Sequence, residues 1–244
     1  SLVGSEMCIR DRSLSSALMG AFQPQIATLA GVGDKEGMLK TVMRASKFGS
    51  FLMVIMAIPL ALEADYLLVL WLKNPPLLAS TFCRLVLLQM ILDNLTFGHM
   101  SGIMASGKIK WYQITTGSLC VLSVPVAWLV LALGGDATSV SWVIAGCMAA
   151  CSVVRLFFGR FLLNIRIVEW AKMVLFPILC VSFVSFIAGL GVVYAIEEPS
   201  FLRIIITSIV SCVAMIVASW FFLFDQSEKN MLNRMAVKLK LKKQ

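Results

Sequence analysis

The stretch QMILDNLTFGHM places a carboxylic acid, Asp93, inside a long apolar segment. Gln89 lies one helical turn before Asp93, so a helix presents both side chains on nearly the same face, and Asn94 follows directly. A charge near the centre of a bilayer is costly and usually marks an ion pathway or a partnered contact between helices. Asp93, Asn94 and Gln89 are therefore candidates for a coupling or cavity site that takes up a proton or cation. The alternative is a hydrogen-bonded structural contact with a neighbouring helix.

Two arginines also lie within apolar segments, Arg84 and Arg155. A guanidinium group is well shaped to hold phosphate or pyrophosphate, so both are candidate phosphate-contacting residues if they face a cavity. Alternatively, each side chain extends along the apolar surface to place its charge at the membrane interface. The chain has a single histidine, His99, which we expect to form a packed contact between helices.

Seven cysteines could suggest a disulfide framework or a metal site. Six of them lie in apolar runs, where cysteine is typically a small buried hydrophobic residue. Cys147 and Cys151 are one helical turn apart, but no histidine or carboxylate lies nearby in the sequence to complete a ligand set. We therefore expect no metal site, and we also expect no cofactor and no catalytic residues.

These residues must be positioned by membrane helices. Hydrophobic residues make up 59% of the chain and charged residues only 14%, whereas about 25% is usual for soluble domains. Runs long enough to cross a bilayer lie near residues 48–71, 77–105, 111–133, 138–160, 173–195 and 200–224. The sequence thus predicts an all-α, polytopic transmembrane helix bundle at residues 48–224, with six full spans. Residues 13–30 are expected to be the remnant of a seventh transmembrane helix, of which only the end is present.

Basic residues predict the orientation of the spans, because cytoplasmic loops are rich in lysine and arginine. One set of connectors carries most of them: Lys35, Lys40, Arg44, Lys47, Lys108, Lys110, Arg155, Arg160, Arg166, Lys172, Lys229, Arg234, Lys238, Lys240, Lys242 and Lys243. The opposite set carries only Lys73, Arg84 and Arg203 together with several acidic residues. We therefore expect a cytoplasmic amphipathic connector at residues 31–47 and a cytoplasmic C-terminus in a basic tail at residues 225–244. The tail is expected to lie beside anionic membrane lipids and not to bind nucleic acid.

The opening residues SLVGSEMCIRDR are polar and lack the period of a helix. Their charges follow the first apolar residues, which is the wrong order for a signal peptide. The segment LVGSEMCIRD can be encoded by CTC GTG GGC TCG GAG ATG TGT ATA AGA GAC, a string that resembles a transposase adapter used in short-read sequencing. We expect residues 1–12 to be an adapter-derived scar and the true N-terminus of the protein to be missing.

Three stretches resemble a known family: FQPQIATLAGVGDKEGMLKTVMRASKFGSFLMVIMAIPLALEADYLLVLWLKNPP, TFCRLVLLQMILDNL and ASGKIKWYQI. The shared elements are Pro24, Gly33-Asp34-x-Glu36, Ser46-Lys47-Phe48, Leu60 to Trp71, and Gly107-Lys108-Ile109-Lys110 with Tyr112-Gln113. Together they resemble the bacterial O-antigen and capsule flippases, the Wzx-type polysaccharide transporters of the multidrug/oligosaccharidyl-lipid/polysaccharide exporter superfamily. The resemblance covers nearly everything after residue 12, strongly to about Gln113 and by hydropathy beyond.

The resemblance implies that this chain is the C-terminal bundle of a transporter with two helix bundles. The two bundles surround a central cavity in the bacterial cytoplasmic (inner) membrane. It implies flipping of undecaprenyl-pyrophosphate-linked oligosaccharide for O-antigen (lipopolysaccharide) or capsule biosynthesis. The expected partners are that lipid-linked oligosaccharide, membrane lipids and the missing N-terminal half. Because alternating access requires both bundles, the fragment is expected to be inactive alone.

Two other functions remain open from the sequence. A drug or small-molecule exporter of the same superfamily shares the architecture and differs in the cavity. An integral membrane transferase or ligase is disfavoured, since the outer connectors are only a few residues long and leave no room for an active site. The protein is therefore expected not to be an enzyme.

Overall fold

The computed structural model describes residues 20–76, 78–196 and 198–223. The proposed adapter residues 1–12 and the basic tail at residues 225–244 lie outside the described ranges, as do residues 13–19 of the expected helix remnant. Within the described ranges the regular structure is helical and contains no strand. The all-helical fold predicted from the sequence is confirmed.

Ten α-helices and one π-helical segment follow one another in the described part of the chain. Helix α1 occupies residues 20–32, and the others are α2 (Lys35–Leu62), α3 (Ala64–Leu72), α4 (Ala79–Leu95), α5 (Phe97–Ala105), α6 (Lys110–Ala132), α7 (Ala137–Leu163), α8 (Ile167–Trp170), the π segment (Ala171–Leu175), α9 (Phe176–Ala195) and α10 (Phe201–Phe222).

The junction between α1 and α2 is a glycine turn followed by a helix cap. Gly33 has a φ of 78°, a left-handed conformation that glycine adopts without steric cost. The Asp34 side chain then accepts a hydrogen bond from the Gly37 backbone N–H at 2.9 Å, which satisfies a free donor in the first turn of α2. Helix α2 continues without a break through residues 35–47, where Met38 and Val42 are buried. The expected connector and the start of the first expected span therefore form one helix.

Two of the expected spans are interrupted in the structure. The span at 48–71 breaks at Glu63, between α2 and α3, and Pro59 lies in the turn just before the break. The span at 77–105 breaks at Thr96, between α4 and α5. Hydropathy averages over a segment and does not report a local change in backbone direction, although Pro59 is a sequence signal for a break near Glu63.

Five helical segments are long and apolar enough to cross a membrane, judged by length and composition. They are Lys35–Leu62, Lys110–Ala132, Thr138–Leu163, Ile167–Ala195 and Phe201–Phe222. The interrupted segment formed by α4 and α5 is not among them. The described chain thus has the helices of a multi-pass membrane protein.

Helix α2 lies at the centre of the packing and contacts α4, α5, α9 and α10, while α6 packs chiefly against α7 at one side. The core between these helices contains Val42, Ile103, Val174, Val181 and Met215, all essentially inaccessible. Large apolar residues elsewhere on α6 are exposed, including Val121 and Trp128. This distribution suits a helix whose outer face meets lipid, since lipid tails are as apolar as the side chains themselves.

Candidate functional site

Arg155 of α7 is the centre of a polar cluster that joins three helices. Its Nη1 donates to Asp93 Oδ1 at 2.5 Å and to the Asp93 carbonyl at 3.3 Å. Nη1 also lies 3.4 Å from Thr96 Oγ1, and Nε donates to the Tyr112 hydroxyl at 3.2 Å. We call Asp93, Thr96, Tyr112 and Arg155 the Arg155 cluster.

The helix ends explain why these four side chains meet. Asp93 lies in the last turn of α4, Thr96 forms the break before α5, and Tyr112 lies in the first turn of α6. Arg155 reaches them from the second half of α7. Asp93 thus lies at a helix end within this apolar segment, because the segment is interrupted at Thr96.

Side chains from other helices satisfy the carbonyl groups left without helical partners at the end of α4. Ser152 Oγ donates to the Leu92 carbonyl at 3.0 Å, and Trp170 Nε1 donates to the Leu95 carbonyl at 3.2 Å. The guanidinium of Arg155 also donates to a carbonyl at this end of α4, that of Asp93. A cation is favourable there, since the C-terminal end of a helix carries a partial negative charge.

The two charges of the cluster differ in their access to the surroundings. The Arg155 side chain is 10% exposed, whereas the Asp93 side chain is 39% exposed. The guanidinium is therefore held inside the protein by hydrogen bonds, while one side of the carboxylate remains open. A proton or cation can reach Asp93 more readily than it can reach Arg155.

His99 is fully buried beside this cluster. Its ring lies edge-on to that of Trp170, with centroids 5.9 Å apart, and neither ring nitrogen has a hydrogen-bond partner among the described residues. A Cβ added to Gly159 of α7 would lie 2.6 Å from His99 Cδ2, so glycine makes room for the ring. The position agrees with the packed interhelix contact expected from the sequence.

The other polar candidates on α4 make separate contacts. The side-chain amide of Gln89 donates to the Ser141 carbonyl of α7 at 3.2 Å, and that of Asn94 donates to the Met90 carbonyl of its own helix at 2.9 Å. Neither hydrogen bond reaches Arg155. Of the candidate coupling residues, only Asp93 belongs to the cluster.

Arg84 lies apart from Arg155. Its Nη2 pairs with Asp65 Oδ2 at 2.6 Å, and its Nε donates to the Ala61 carbonyl at 2.9 Å. Both side chains of the pair are well exposed, at 43% and 67%. Along the helix, Arg84 lies about 14 Å from Asp93, and the two arginines share no hydrogen-bond partner in these contacts. The two candidate phosphate-contacting arginines therefore make separate contacts in the structure.

A second buried ion pair joins the α2–α3 break to α10. Arg203 donates from Nη2 to Glu63 Oε2 at 2.9 Å and from Nε to Oε1 at 3.1 Å. Thr207 donates to the same carboxylate, Oε1, at 2.9 Å. The Glu63 side chain is 1% exposed, so its charge is neutralised and hydrogen-bonded inside the bundle.

Sequence reasoning missed Tyr112, Glu63 and Arg203 as interacting residues. Tyr112 follows a basic turn, where an aromatic residue usually indicates a membrane interface. The sequence analysis places Arg203, and with it the acidic residue Glu63, on the side of the outer connectors, since hydropathy does not distinguish a charge in a loop from one buried at a helix end. A signal for the pair does exist, because Glu63 lies within one expected span and Arg203 near the start of another, in the parts of both spans expected to face the same side.

No family model, curated protein or solved structure matches the chain. A proposal for its function therefore rests on the geometry of the Arg155 cluster and on the resemblance of the sequence to the polysaccharide flippases.

Proposed function

We propose that the chain is the C-terminal bundle of a flippase that moves undecaprenyl-pyrophosphate-linked oligosaccharide across the bacterial inner membrane for O-antigen or capsule biosynthesis. In this proposal it is a transporter and not an enzyme. It acts together with an N-terminal half of the same protein, and the C-terminal bundle by itself does not transport.

The observation that carries the proposal is the buried guanidinium of Arg155 in an apolar helix bundle. Burying a charge is expensive unless it is paired and hydrogen-bonded, and membrane proteins mainly retain such groups where they bind a substrate or a coupling ion. A pyrophosphate group offers the planar guanidinium the same oxygen pair as a carboxylate does. In the structure Arg155 Nη1 contacts one carboxylate oxygen, Asp93 Oδ1, and in this proposal a phosphate oxygen of the substrate replaces it.

The position of the cluster suits loading from the cytoplasmic side. Tyr112 lies in the first turn of α6, close to Lys108 and Lys110, and the basic residues of this connector support a cytoplasmic location for it. In the proposed topology, α4 and α5 cross the membrane together as one span broken at Thr96, which gives six spans and a cytoplasmic C-terminus.

In the proposed cycle, Asp93 and the substrate compete for Arg155. Protonation of Asp93, or binding of a cation to it, weakens its attraction for the guanidinium and releases Arg155 to bind pyrophosphate. Return of the carboxylate to Arg155 then favours release of the substrate. The open side of Asp93 provides the access that this exchange requires.

The test replaces Arg155 in the complete transporter. Arg155→Lys keeps a positive charge but loses the planar pair of donors. In a strain without its own flippase, the variant is expected to reach the membrane at normal levels and to fail to restore surface polysaccharide. The control is Arg84→Lys, which changes an exposed pair and is expected to restore surface polysaccharide fully. Full restoration by Arg155→Lys would exclude Arg155 from pyrophosphate binding.

The second candidate is a cation-coupled drug exporter of the same superfamily. The partly exposed Asp93 carboxylate favours it, because such a group can bind a proton or a cationic drug without any phosphate. The same strain distinguishes the two functions. Resistance to cationic drugs without restored polysaccharide would support the exporter and reject the flippase.

A further inference from the structure

Helices α6 and α7 bring together three cysteines that are distant in sequence. The sulfur atoms of Cys120, Cys147 and Cys151 all lie within 4.8 Å of one another. Cys147 and Cys151 are on consecutive turns of α7, and the packing of α6 against α7 supplies Cys120. We call these residues the three-cysteine cluster.

The cluster lies near the midpoint of two helices that each qualify as a membrane span. Its possible ligand atoms are sulfur only, with no histidine or carboxylate in the group. Cys151 is buried, whereas Cys120 is exposed. The exposed thiol gives a small molecule in the membrane access to the buried one.

The spacing of the sulfur atoms suits one shared central atom. Bonds of about 2.3 Å to a central atom, as in zinc thiolates, place the sulfurs of one tetrahedral centre roughly 3.8 Å apart. From separations of at most 4.8 Å, the sulfurs must approach by no more than about 1 Å on this geometry. Rotation about the Cα–Cβ bonds and slight sliding of the two helices can supply that movement.

The net charge of the complex between the ion and the three sulfur ligands determines which kind of ion is favoured. A net charge inside hydrocarbon is strongly unfavourable, so the favoured complex is the one in which ion and ligands cancel. Three thiolates give a neutral complex only with a trivalent ion. Copper(I) bound by three thiolates would carry two negative charges, and zinc would carry one and lack its fourth ligand.

We propose that the three-cysteine cluster is a binding site for trivalent arsenic, held by Cys120, Cys147 and Cys151. Arsenous acid is neutral, and it exchanges its three hydroxyl groups for three thiols: As(OH)3 and three RSH give As(SR)3 and three water molecules. Each thiol proton leaves with a hydroxyl group as water, and no electron is transferred. No free thiolate or other charged species has to persist in the membrane, and the product fastens α6 to α7.

The test uses the reduced, purified chain in detergent micelles and sodium arsenite as the probe. X-ray absorption at the arsenic edge is expected to show three sulfur neighbours and no oxygen. Cys120→Ser is expected to replace one sulfur by oxygen and to weaken arsenite binding at least about tenfold. The control is Cys180→Ser, which changes a partly buried cysteine of α9 outside the cluster. It is expected to alter neither the spectrum nor the affinity.

Several results would overturn the site. An oxygen-dominated spectrum for the unmodified chain would reject it, and so would equal loss of affinity in Cys120→Ser and Cys180→Ser. Displacement of arsenite by equimolar copper(I) or zinc would reject the selection of a trivalent ion. If Cys120→Ser does not accumulate, Cys147→Ser removes a different ligand and is expected to show the same loss of one sulfur.

Discussion

Burial separates the ion pairs of the described helices into two kinds. Glu63–Arg203 and Asp93–Arg155 each include a side chain that is nearly inaccessible, whereas Asp65–Arg84 is exposed on both sides. Exposed pairs typically contribute about 0–1 kcal/mol. Removing one partner of a buried pair costs about 3–5 kcal/mol, because the other charge is left without compensation. Substitution of Glu63 should therefore lower the free energy of unfolding much more than substitution of its neighbour Asp65.

Glu63 and Asp65 provide a matched comparison at adjacent helix ends. Glu63→Gln leaves the Arg203 guanidinium buried without its carboxylate, so the free energy of unfolding is expected to fall by about 3–5 kcal/mol. Asp65→Asn is expected to change it by less than about 1 kcal/mol. Denaturation of the purified chain in detergent measures both. Similar values for the two variants would contradict the burial of Glu63.

The coupling between Asp93 and Arg155 can be measured in a double-mutant cycle. Asp93→Asn alone is expected to destabilise the chain by about 1–3 kcal/mol, less than for Glu63 because the carboxylate is partly exposed. The double variant Asp93→Asn/Arg155→Gln is expected to lose less than the sum of the two single variants, since each single change leaves an unpaired group. Additive losses would show that the two side chains do not form a functional pair.

For single residues, the sequence identifies the charged side chains inside apolar segments but not the residues with which they pair. Asp93 and Arg155 are noticeable individually, because a charge in an apolar run is rare. Their pairing depends on how α4 and α7 pack, and the contribution of Tyr112 depends on where α6 begins. The same limit applies to Cys120, which joins the Cys147 and Cys151 pair only through the contact between α6 and α7.

Among the helices, the contact between α5 and α2 depends on small side chains. Gly98 and Gly102, one turn apart on α5, both lie against Val42 of α2. The Gly98 backbone N–H also donates to Ser46 Oγ at 3.1 Å. Small residues at this spacing let two membrane helices approach closely, which is a common way of associating helices in lipid.

Alanine at position 98 tests this close approach. The added Cβ would overlap the Val42 carbonyl oxygen and lie 2.6 Å from Ser46 Oγ. Gly98→Ala is expected to lower the free energy of unfolding by at least about 1–3 kcal/mol, since α5 must move away from α2. Gly146→Ala on α7 has no atom within 4 Å of its Cβ, so it is expected to be neutral or mildly stabilising. Equal stability of the two variants in thermal unfolding would contradict the packing.

The helices themselves were largely predictable, but their interruptions were not. Apolar composition identified the segments that became α6, α7, α9 and α10. It did not distinguish a continuous helix from two helices joined at Glu63 or Thr96. Side chains from distant helices contact both breaks, since Arg203 pairs with Glu63 and Arg155 contacts Thr96.

For the whole molecule, the distribution of basic residues predicts which ends of the helices face the cytoplasm. Single cysteines placed in a cysteine-free chain are expected to react with an impermeant external reagent at residues 72–75, 134–136 and 197–199. Cysteines at residues 33–47, 105–112 and after Asp225 are expected to be protected until the membrane is opened. The reverse labelling pattern would contradict the proposed topology and the proposed loading of the Arg155 cluster from the cytoplasmic side.

The most direct measurement is flipping by the purified complete transporter in vesicles. The substrate is an undecaprenyl-pyrophosphate oligosaccharide with a fluorescent label that an external reagent destroys. The proposal predicts that the transporter moves label from the protected to the accessible leaflet, and that Arg155→Lys slows this movement at least about tenfold, while Arg84→Lys does not. No movement above that in protein-free vesicles, or equal rates for the unmodified transporter and Arg155→Lys, would contradict the proposal.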